Sequence, residues 1–183
     1  IDDKKIIGKV VWFTGLSGSG KTTISVALKE KLESQGKTVK VLDGDDIRET
    51  LHKSLGFSRE DIKKNNRLIA ELAKNELQNF DFILVPIISP YKEDRSIARA
   101  YIGTENFIEL YINASLDECI KRDVKGLYNK ALNGEIDNFI GISDSNPYEV
   151  PENPDIMIDT GEENLGQCVR TINNLINLFS QGK

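Results

Sequence analysis

The period of the apolar positions changes repeatedly along the chain, and each change marks an element. Val10-Val11-Trp12-Phe13 is a β-branched and aromatic run that predicts a first strand. Ile24, Leu28 and Leu32 then recur at helical spacing with Gly36 as a stop, so a helix is predicted from about Lys21. Thr38 to Leu42 predicts a second strand. Ser58 and Asp61 read as the capping pair of a helix from about Arg59 to Gln78, whose inward stripe carries Asn65 and Asn66 between Ile62 and Ile69. Phe82 to Ile88 predicts a third strand, in which Pro86 implies a bulge or an irregular end. Lys92 to Tyr101 predicts a helix and Phe107 to Ile112 a fourth strand, after which Ser115 and Glu118 cap a helix that turns Cys119 and Ile120 inward. Ile156 to Ile158 predicts a fifth strand. The final helix repeats Leu165, Val169, Ile172, Ile176 and Phe179 as a core-facing stripe.

Strands alternating with helices in this way predict an α/β protein with three layers, α/β/α: a five-stranded, mostly parallel sheet with helices on both faces. The alternation fails from Val124 to Pro154, a stretch broken by Pro147, Pro151 and Pro154. Long irregular segments in compact chains are usually lids or binding loops. Residues 1–183 are therefore expected to form one domain with a lid at about 124–154.

Composition narrows the class. The chain has 183 residues, 39% hydrophobic and 29% charged, enough for one substantial core. A formal net charge of −5 argues against a nucleic-acid partner, which needs a basic face, but not against small anions held in a local positive pocket. No apolar run approaches the ~20 residues of a membrane span, so no membrane partner is expected. Cys119 and Cys168 lie far apart, each within an apolar helical pattern, and read as buried free thiols of a reducing cytoplasm.

The chemistry begins directly after the first strand. Gly15-Leu16-Ser17-Gly18-Ser19-Gly20-Lys21-Thr22 has the spacing of a phosphate-binding P-loop. Glycines let the backbone wrap a phosphate, the amides form a nest, and the helix from Lys21 adds the positive end of its dipole. Lys21 is expected to reach the β- and γ-phosphates, the Thr22 hydroxyl to ligand Mg²⁺, and Thr23 to bind the nucleotide. The third strand ends in Ser89, without a Walker-B aspartate, and the nearest carboxylates are Asp43 and Asp45 after the second strand. Ligands of such sheets bind beyond the carboxyl ends of the strands, which places both near the phosphates as base or as Mg²⁺ partner through water. A solvated acidic turn is the alternative. Arg48, three residues beyond Asp45, can face the same cleft and grip an anion. Asn65 and Asn66 need partners on an inward stripe, whether backbone, water or substrate. Phe57 and Phe139 are loop aromatics able to sandwich a base or to pack locally. Asn129-Lys130 is followed by Ala131-Leu132, without the aspartate of a guanine-recognition motif, so a switch GTPase is disfavoured and a small-molecule kinase gains.

The P-loop, together with Leu42-Asp43-Gly44-Asp45, Leu55-Gly56-Phe57-Ser58 and Ile88-Ser89-Pro90-Tyr91, resembles the adenylylsulfate kinase family of P-loop kinases. Arg122-Asp123, Lys125-Gly126-Leu127-Tyr128, Gly134-Glu135-Ile136 and Pro147-Tyr148-Glu149 extend the resemblance over nearly the whole chain. It implies transfer of a phosphoryl group from ATP, with Mg²⁺, to the 3′-hydroxyl of adenosine 5′-phosphosulfate. Lys21, Asp43, Asp45 and Ser89 would be catalytic, with Ser89 as a hydroxyl that hydrogen-bonds substrate. Arg48 and Asn65 would hold the acceptor, Phe57 and Phe139 would sandwich its adenine, and Ile88 and Leu127 would line its pocket. Arg122 and the lid around Lys125 would close on ATP. A cytoplasmic enzyme with small nucleotide substrates, acting as a homodimer, is the expectation.

The chain departs from the family pattern at Asp46, where asparagine is usual, and at Ile62 and Leu68, where arginines stand. The segment Ser143-Asp144-Ser145-Asn146 before Pro147 is also longer. These departures touch the acceptor rather than ATP. They leave open a relative that phosphorylates a cytidine diphosphoramidate, and Arg59 and Arg67 are the nearest cations that could replace the arginine missing at Ile62. A non-catalytic nucleotide-binding module, or a kinase domain cut from a longer fusion, is the remaining alternative.

Overall fold

The β-branched runs pair side by side as β1 (Lys9–Thr14), β2 (Val39–Val41), β3 (Phe82–Val85), β4 (Phe107–Asn113) and β5 (Ile156–Asp159). The structure is a computed structural model that describes residues 7–44, 47, 56–123 and 125–181. The strand order is β2-β3-β1-β4-β5, and every neighbouring pair is parallel. Strands of this kind are covered on both faces, which is why Val10, Val11, Trp12 and Phe13 are all 0% exposed.

Alternate residues of β1 serve opposite layers. Val11 and Phe13 join Leu84 and Leu110 under α1 (Lys21–Ser34) and α6 (Leu165–Gln181), with Leu28 and Ile172 between them. Val10 and Trp12 join Ile83 and Val85 under α2 (Arg59–Glu76) and α3 (Lys92–Ile102), through Ile69, Ala73, Ala98 and Ile102. Two short helices, α4 (Leu116–Arg122) and α5 (Leu127–Leu132), follow β4. Both expected caps form: the Ser58 and Ser115 side chains accept from the backbone N–H of Asp61 and Glu118. Cys119 and Cys168 are buried free thiols. Among the described residues no helix is long and apolar enough to cross a membrane.

Three expectations change. The third strand stops at Val85 rather than Ile88, because Pro86 has no N–H for the ladder and Ile87 N–H turns back to the Val85 carbonyl (3.0 Å). The stripe of α6 is Cys168, Val169, Ile172 and Ile176, whereas Leu165 and Phe179 at its two ends are 42% and 39% exposed. The segment between α5 and β5 has more apolar anchors than its broken pattern suggests. Ile140 is buried against Ile62 and Tyr91, while Phe139 and Ile142 pack towards Tyr128 and Leu16.

Parallel pairing brings the carboxyl ends of all strands to one edge of the sheet. There the loop after β1, Asp43 after β2, Ser89 after β3 and Thr160 after β5 converge. Leu28 joins α1 to this core and is 0% exposed. Leu28→Ala is expected to lower stability by about 2–5 kcal/mol in urea unfolding, the range for a buried leucine whose cavity only partly collapses.

Candidate active site

The loop from Gly15 to Gly20 leaves β1 and delivers the chain into α1, and its shape is dictated by close contacts. A Cβ on Gly15 would lie 2.7 Å from the Ile112 carbonyl oxygen, so only glycine lets the loop start against β4. Gly20, the N-cap of α1, has φ 108°, a conformation that costs a residue with a side chain. The loop is braced from behind. Tyr128 Oη donates to the Ser17 carbonyl (2.6 Å), Arg122 Nη1 to the Gly18 carbonyl (3.1 Å) and Thr160 Oγ1 to the Ser19 carbonyl (2.7 Å). Arg122 Nη2 also donates to the Thr160 carbonyl (3.1 Å), which locks α4 to the end of β5. With its carbonyls held this way, the loop presents the first-turn amides of α1, which have no intrahelical acceptor, to an anion.

Lys21 is 8% exposed, and its ammonium lies over the loop, donating to the carbonyls of Gly15 (2.8 Å) and Leu16 (2.6 Å). A phosphate entering the loop offers charged acceptors to the same group, and charge-assisted hydrogen bonds are roughly twice as strong as neutral ones. Thr22 and Thr23 are exposed in the first turn of α1. A hydroxyl at Thr22, completed by nucleotide phosphates and water, suits Mg²⁺, which keeps several waters and seldom uses an all-protein cage. The described residues contain no group of three or more His, Cys, Asp or Glu able to hold a metal without the nucleotide.

The opposite wall is built around Ser89. Its backbone sits at φ 45°, unusual for a residue with a side chain, and the residue is 2% exposed. Trp12 Nε1 donates to Ser89 Oγ (3.0 Å), while the Ser89 carbonyl accepts from Arg95 Nη1 (2.6 Å) and Thr14 Oγ1 (3.0 Å). Arg95 is 3% exposed and also donates to the Glu149 carbonyl (2.7 Å), with Nε 3.1 Å from Glu109. Burial pushes the Glu109 carboxyl above its usual value, against the pull of Arg95 and Arg99. Thr14 Oγ1 also meets Tyr148 Oη at 2.7 Å, and burial raises that phenol. Arg95, Glu109 and Thr14 were not anticipated. Arg95 lies one turn after Tyr91 on the inward side of a helix, and a charged residue at a core spacing was the available signal.

The remaining sequence candidates differ in exposure and partners. Asn65 is 4% exposed, and its Oδ1 has no hydrogen-bond partner among the described residues. An orphaned buried acceptor is costly unless a ligand completes it. Phe57 is 48% exposed, whereas Phe139 stands edge-on to Tyr128 at 5.0 Å between ring centres. Asp43 is half-buried at the end of β2, Leu127 is half-buried, and Lys125 is exposed. Ile88 packs beside the Ile62–Tyr91–Ile140 cluster. Asp45, Asp46 and Arg48 lie outside the described residues.

Of the two cations proposed to replace an arginine at Ile62, Arg59 is already paired. Arg59 makes a bidentate pair with Asp94 (2.9 and 3.0 Å) and lies 3.8 Å over the Tyr91 ring, while Arg67 is exposed. Ile62 itself is 3% exposed and serves as an apolar seat for Ile140.

A parallel sheet with a Gly-x₄-Gly-Lys-Thr loop at the end of its central strand, facing a second wall across one cleft, defines a P-loop kinase. The adenylylsulphate kinase family model matches residues 7–159. Adenylyl-sulfate kinase of Staphylococcus epidermidis is 52% identical over 89% of this chain and 81% of its own. That of Bacillus licheniformis is 48% identical over 87% and 80%. The solved Mycobacterium tuberculosis APS kinase CysC, in complex with AMPPNP and APS, superposes with a TM-score of 0.87 at 38% identity, over 93% of this chain and 98% of that one. The chain belongs to the adenylylsulphate kinase family.

Two substitutions separate grip from bracing. Lys21→Ala is expected to lower turnover by about 10²–10³-fold with an unchanged circular dichroism spectrum, since it removes a cation aimed at the developing phosphoryl charge. Arg122→Ala, which frees the Gly18 carbonyl and unlocks Thr160, is expected to weaken ATP binding about tenfold while the acceptor KM moves by less than about twofold. Calorimetric titration with AMPPNP and initial-rate kinetics check the pair.

Proposed function

We propose that this chain transfers the γ-phosphoryl group of ATP to the 3′-hydroxyl of adenosine 5′-phosphosulfate, releasing ADP and 3′-phosphoadenosine 5′-phosphosulfate. The observation that carries the reading is the intact phosphate loop with Lys21 poised over it, in a chain about half identical to enzymes named for this reaction. The 3′-oxygen attacks the γ-phosphorus, the bond from that phosphorus to the β–γ bridging oxygen breaks, and the hydroxyl proton passes to a carboxylate. Asp45 is assigned as that base, with Asp43 beside it.

Charge on the transferring group is met by Lys21, the first-turn amides of α1 and the Mg²⁺ that arrives with ATP, held through Thr22. Ser89 is assigned as a hydroxyl donor to the acceptor. Its oxygen already accepts from Trp12, which leaves its proton to donate. A phosphoserine is not required, because in-line transfer depends on positioning and charge stabilisation. Arg48 and Asn65 are assigned to the acceptor, Phe57 and Phe139 to its base, Ile88 and Leu127 to its pocket, and Arg122 and Lys125 to the ATP side. Residues 124–154 are read as a lid on one kinase domain.

We place the enzyme in the cytoplasm, as its two buried free thiols favour. The reading extends to a homodimer, for which exposed Met157 on the edge strand β5 and Leu178 at the end of α6 leave apolar surface to cover. One observation favours a second acceptor. With Ile62 buried beside Ile140 and Arg59 paired with Asp94, the contacts open to the acceptor's anionic end differ from those of the family pattern, which keeps a cytidine diphosphoramidate as the alternative acceptor.

The test is coupled ADP release with each acceptor. ATP turnover is expected with adenosine 5′-phosphosulfate at a higher kcat/KM than with the cytidine compound; the reverse order would reassign the acceptor, and no turnover with either would point to a nucleotide-binding module. Asp45→Asn is expected to lower single-turnover chemistry by about 10²–10⁴-fold while leaving ATP affinity nearly unchanged, because the amide keeps the shape but takes no proton.

A further inference from the structure

Asn146 is the most completely engaged polar side chain outside the machinery described above. It is 1% exposed, and its amide joins three separate segments. Nδ2 donates to the Phe57 carbonyl (2.5 Å) on the loop before α2 and to the Asn138 carbonyl (2.7 Å), one residue before Phe139. Oδ1 accepts from Tyr91 Oη (2.7 Å) at the N-cap of α3. Its backbone closes a turn of the lid, with the carbonyl accepting from Gly141 N–H (2.9 Å) and the N–H donating to the Ser143 carbonyl (3.0 Å). Ser143 Oγ in turn accepts from Phe139 N–H (2.8 Å).

We infer that Asn146 is a positioning residue that sets the separation of Phe57 and Phe139 and so the width of the acceptor's base pocket. The inference rests on the acceptor reading given above for those two aromatics. The geometry is specific to an amide. Two carbonyls from opposite sides of the pocket converge on one NH₂ group, and the remaining oxygen takes a phenol, so donors and acceptor are all used. A carboxylate of the same size would face two carbonyl oxygens with no proton to give, and an apolar residue would take the shared donor from both carbonyls and leave the Tyr91 phenol only its long contact to the Ser145 carbonyl (3.4 Å).

The anchor at the far end is rigid. Tyr91 is sandwiched by the Arg59 guanidinium at 3.8 Å, Arg59 is forked onto buried Asp94, and Ile62 and Ile140 fill the space beside it. Asn146 therefore ties this segment to Tyr91 and to the loop before α2. On the acceptor reading, a clasp of this kind fixes both aromatics in place and so lowers the ordering cost of binding.

The experiment uses the full chain with ATP and adenosine 5′-phosphosulfate. Asn146→Ala is expected to raise the acceptor KM about tenfold while the ATP KM and kcat stay within about twofold. Asn146→Asp should do at least as much despite its equal size. Tyr91→Phe, which removes one arm only and leaves the fold least disturbed, should raise the acceptor KM about threefold. Hydrogen exchange without acceptor supplies an arm that does not depend on the substrate: Asn146→Ala should speed exchange at Gly141 and at Asp61–Ile62 together, on both sides of the pocket. An unchanged acceptor KM in a folded Asn146→Ala or Tyr91→Phe protein, equal rises for ATP and acceptor, or faster exchange confined to the lid would each overturn the inference. If the unmodified enzyme ignores adenosine 5′-phosphosulfate, the acceptor reading fails, and the exchange result still decides the clasp.

Discussion

β1 is paired on both edges and buried on both faces, and the rest of the molecule depends on that double constraint. Its neighbours β3 and β4 are both parallel to it, so the chain must cross over the sheet between consecutive strands, and the crossovers become the covering helices. With every strand pointing the same way, the turns that follow them share one edge. The P-loop lies in the centre of that edge because it follows the central strand. A binding cleft at the carboxyl ends of the strands is thus a consequence of topology before any catalytic residue is considered.

The cleft is kept in shape by polar groups that ought to be costly in a core. Arg95 is nearly inaccessible, yet each contact it makes joins two parts that must not move relative to one another: the Ser89 turn, the end of the lid at Glu149, and β4 through Glu109. Removing one partner from a buried pair leaves an uncompensated charge, which destabilises strongly, so the network is held together by the penalty for breaking it rather than by a large net gain. The same logic applies behind the P-loop, where Tyr128, Arg122 and Thr160 occupy its carbonyls. Both arrangements are prepared electrostatics, set before nucleotide arrives, which is the kind of contribution that phosphoryl transfer uses.

The segment between α5 and β5 combines apolar seats with polar clasps. Ile140 rests on Ile62 and Tyr91, Phe139 on Tyr128, and Tyr148 reaches Thr14 at the end of β1. Arg59 is held by Asp94 and lies over the Tyr91 ring. Ile62 and the Arg59-backed Tyr91 thus form one seat for Ile140.

Much was legible in the order of residues. Period changes placed all five strands and the long helices, and the P-loop spacing marked the loop between β1 and α1, because local periodicity and glycine chemistry are properties of neighbours in sequence. Ser58 and Ser115 declared their helix starts for the same reason. The errors fall where distance in space matters. Leu165 and Phe179 continue the apolar spacing of α6 but lie beyond the layer that could cover them, and β3 ends short of Ile88 because Pro86 itself has no N–H for the ladder, the irregular end that the proline implied. Arg95 pairs with residues up to 81 positions away, and Asn146 with Phe57 across 89. No local pattern announces a buried amide whose partners lie on three different segments. Chain order alone determined the elements and the phosphate chemistry; the tertiary structure decided which polar side chains are spent as supports, since burial and long-range hydrogen bonds exist only once the layers have packed.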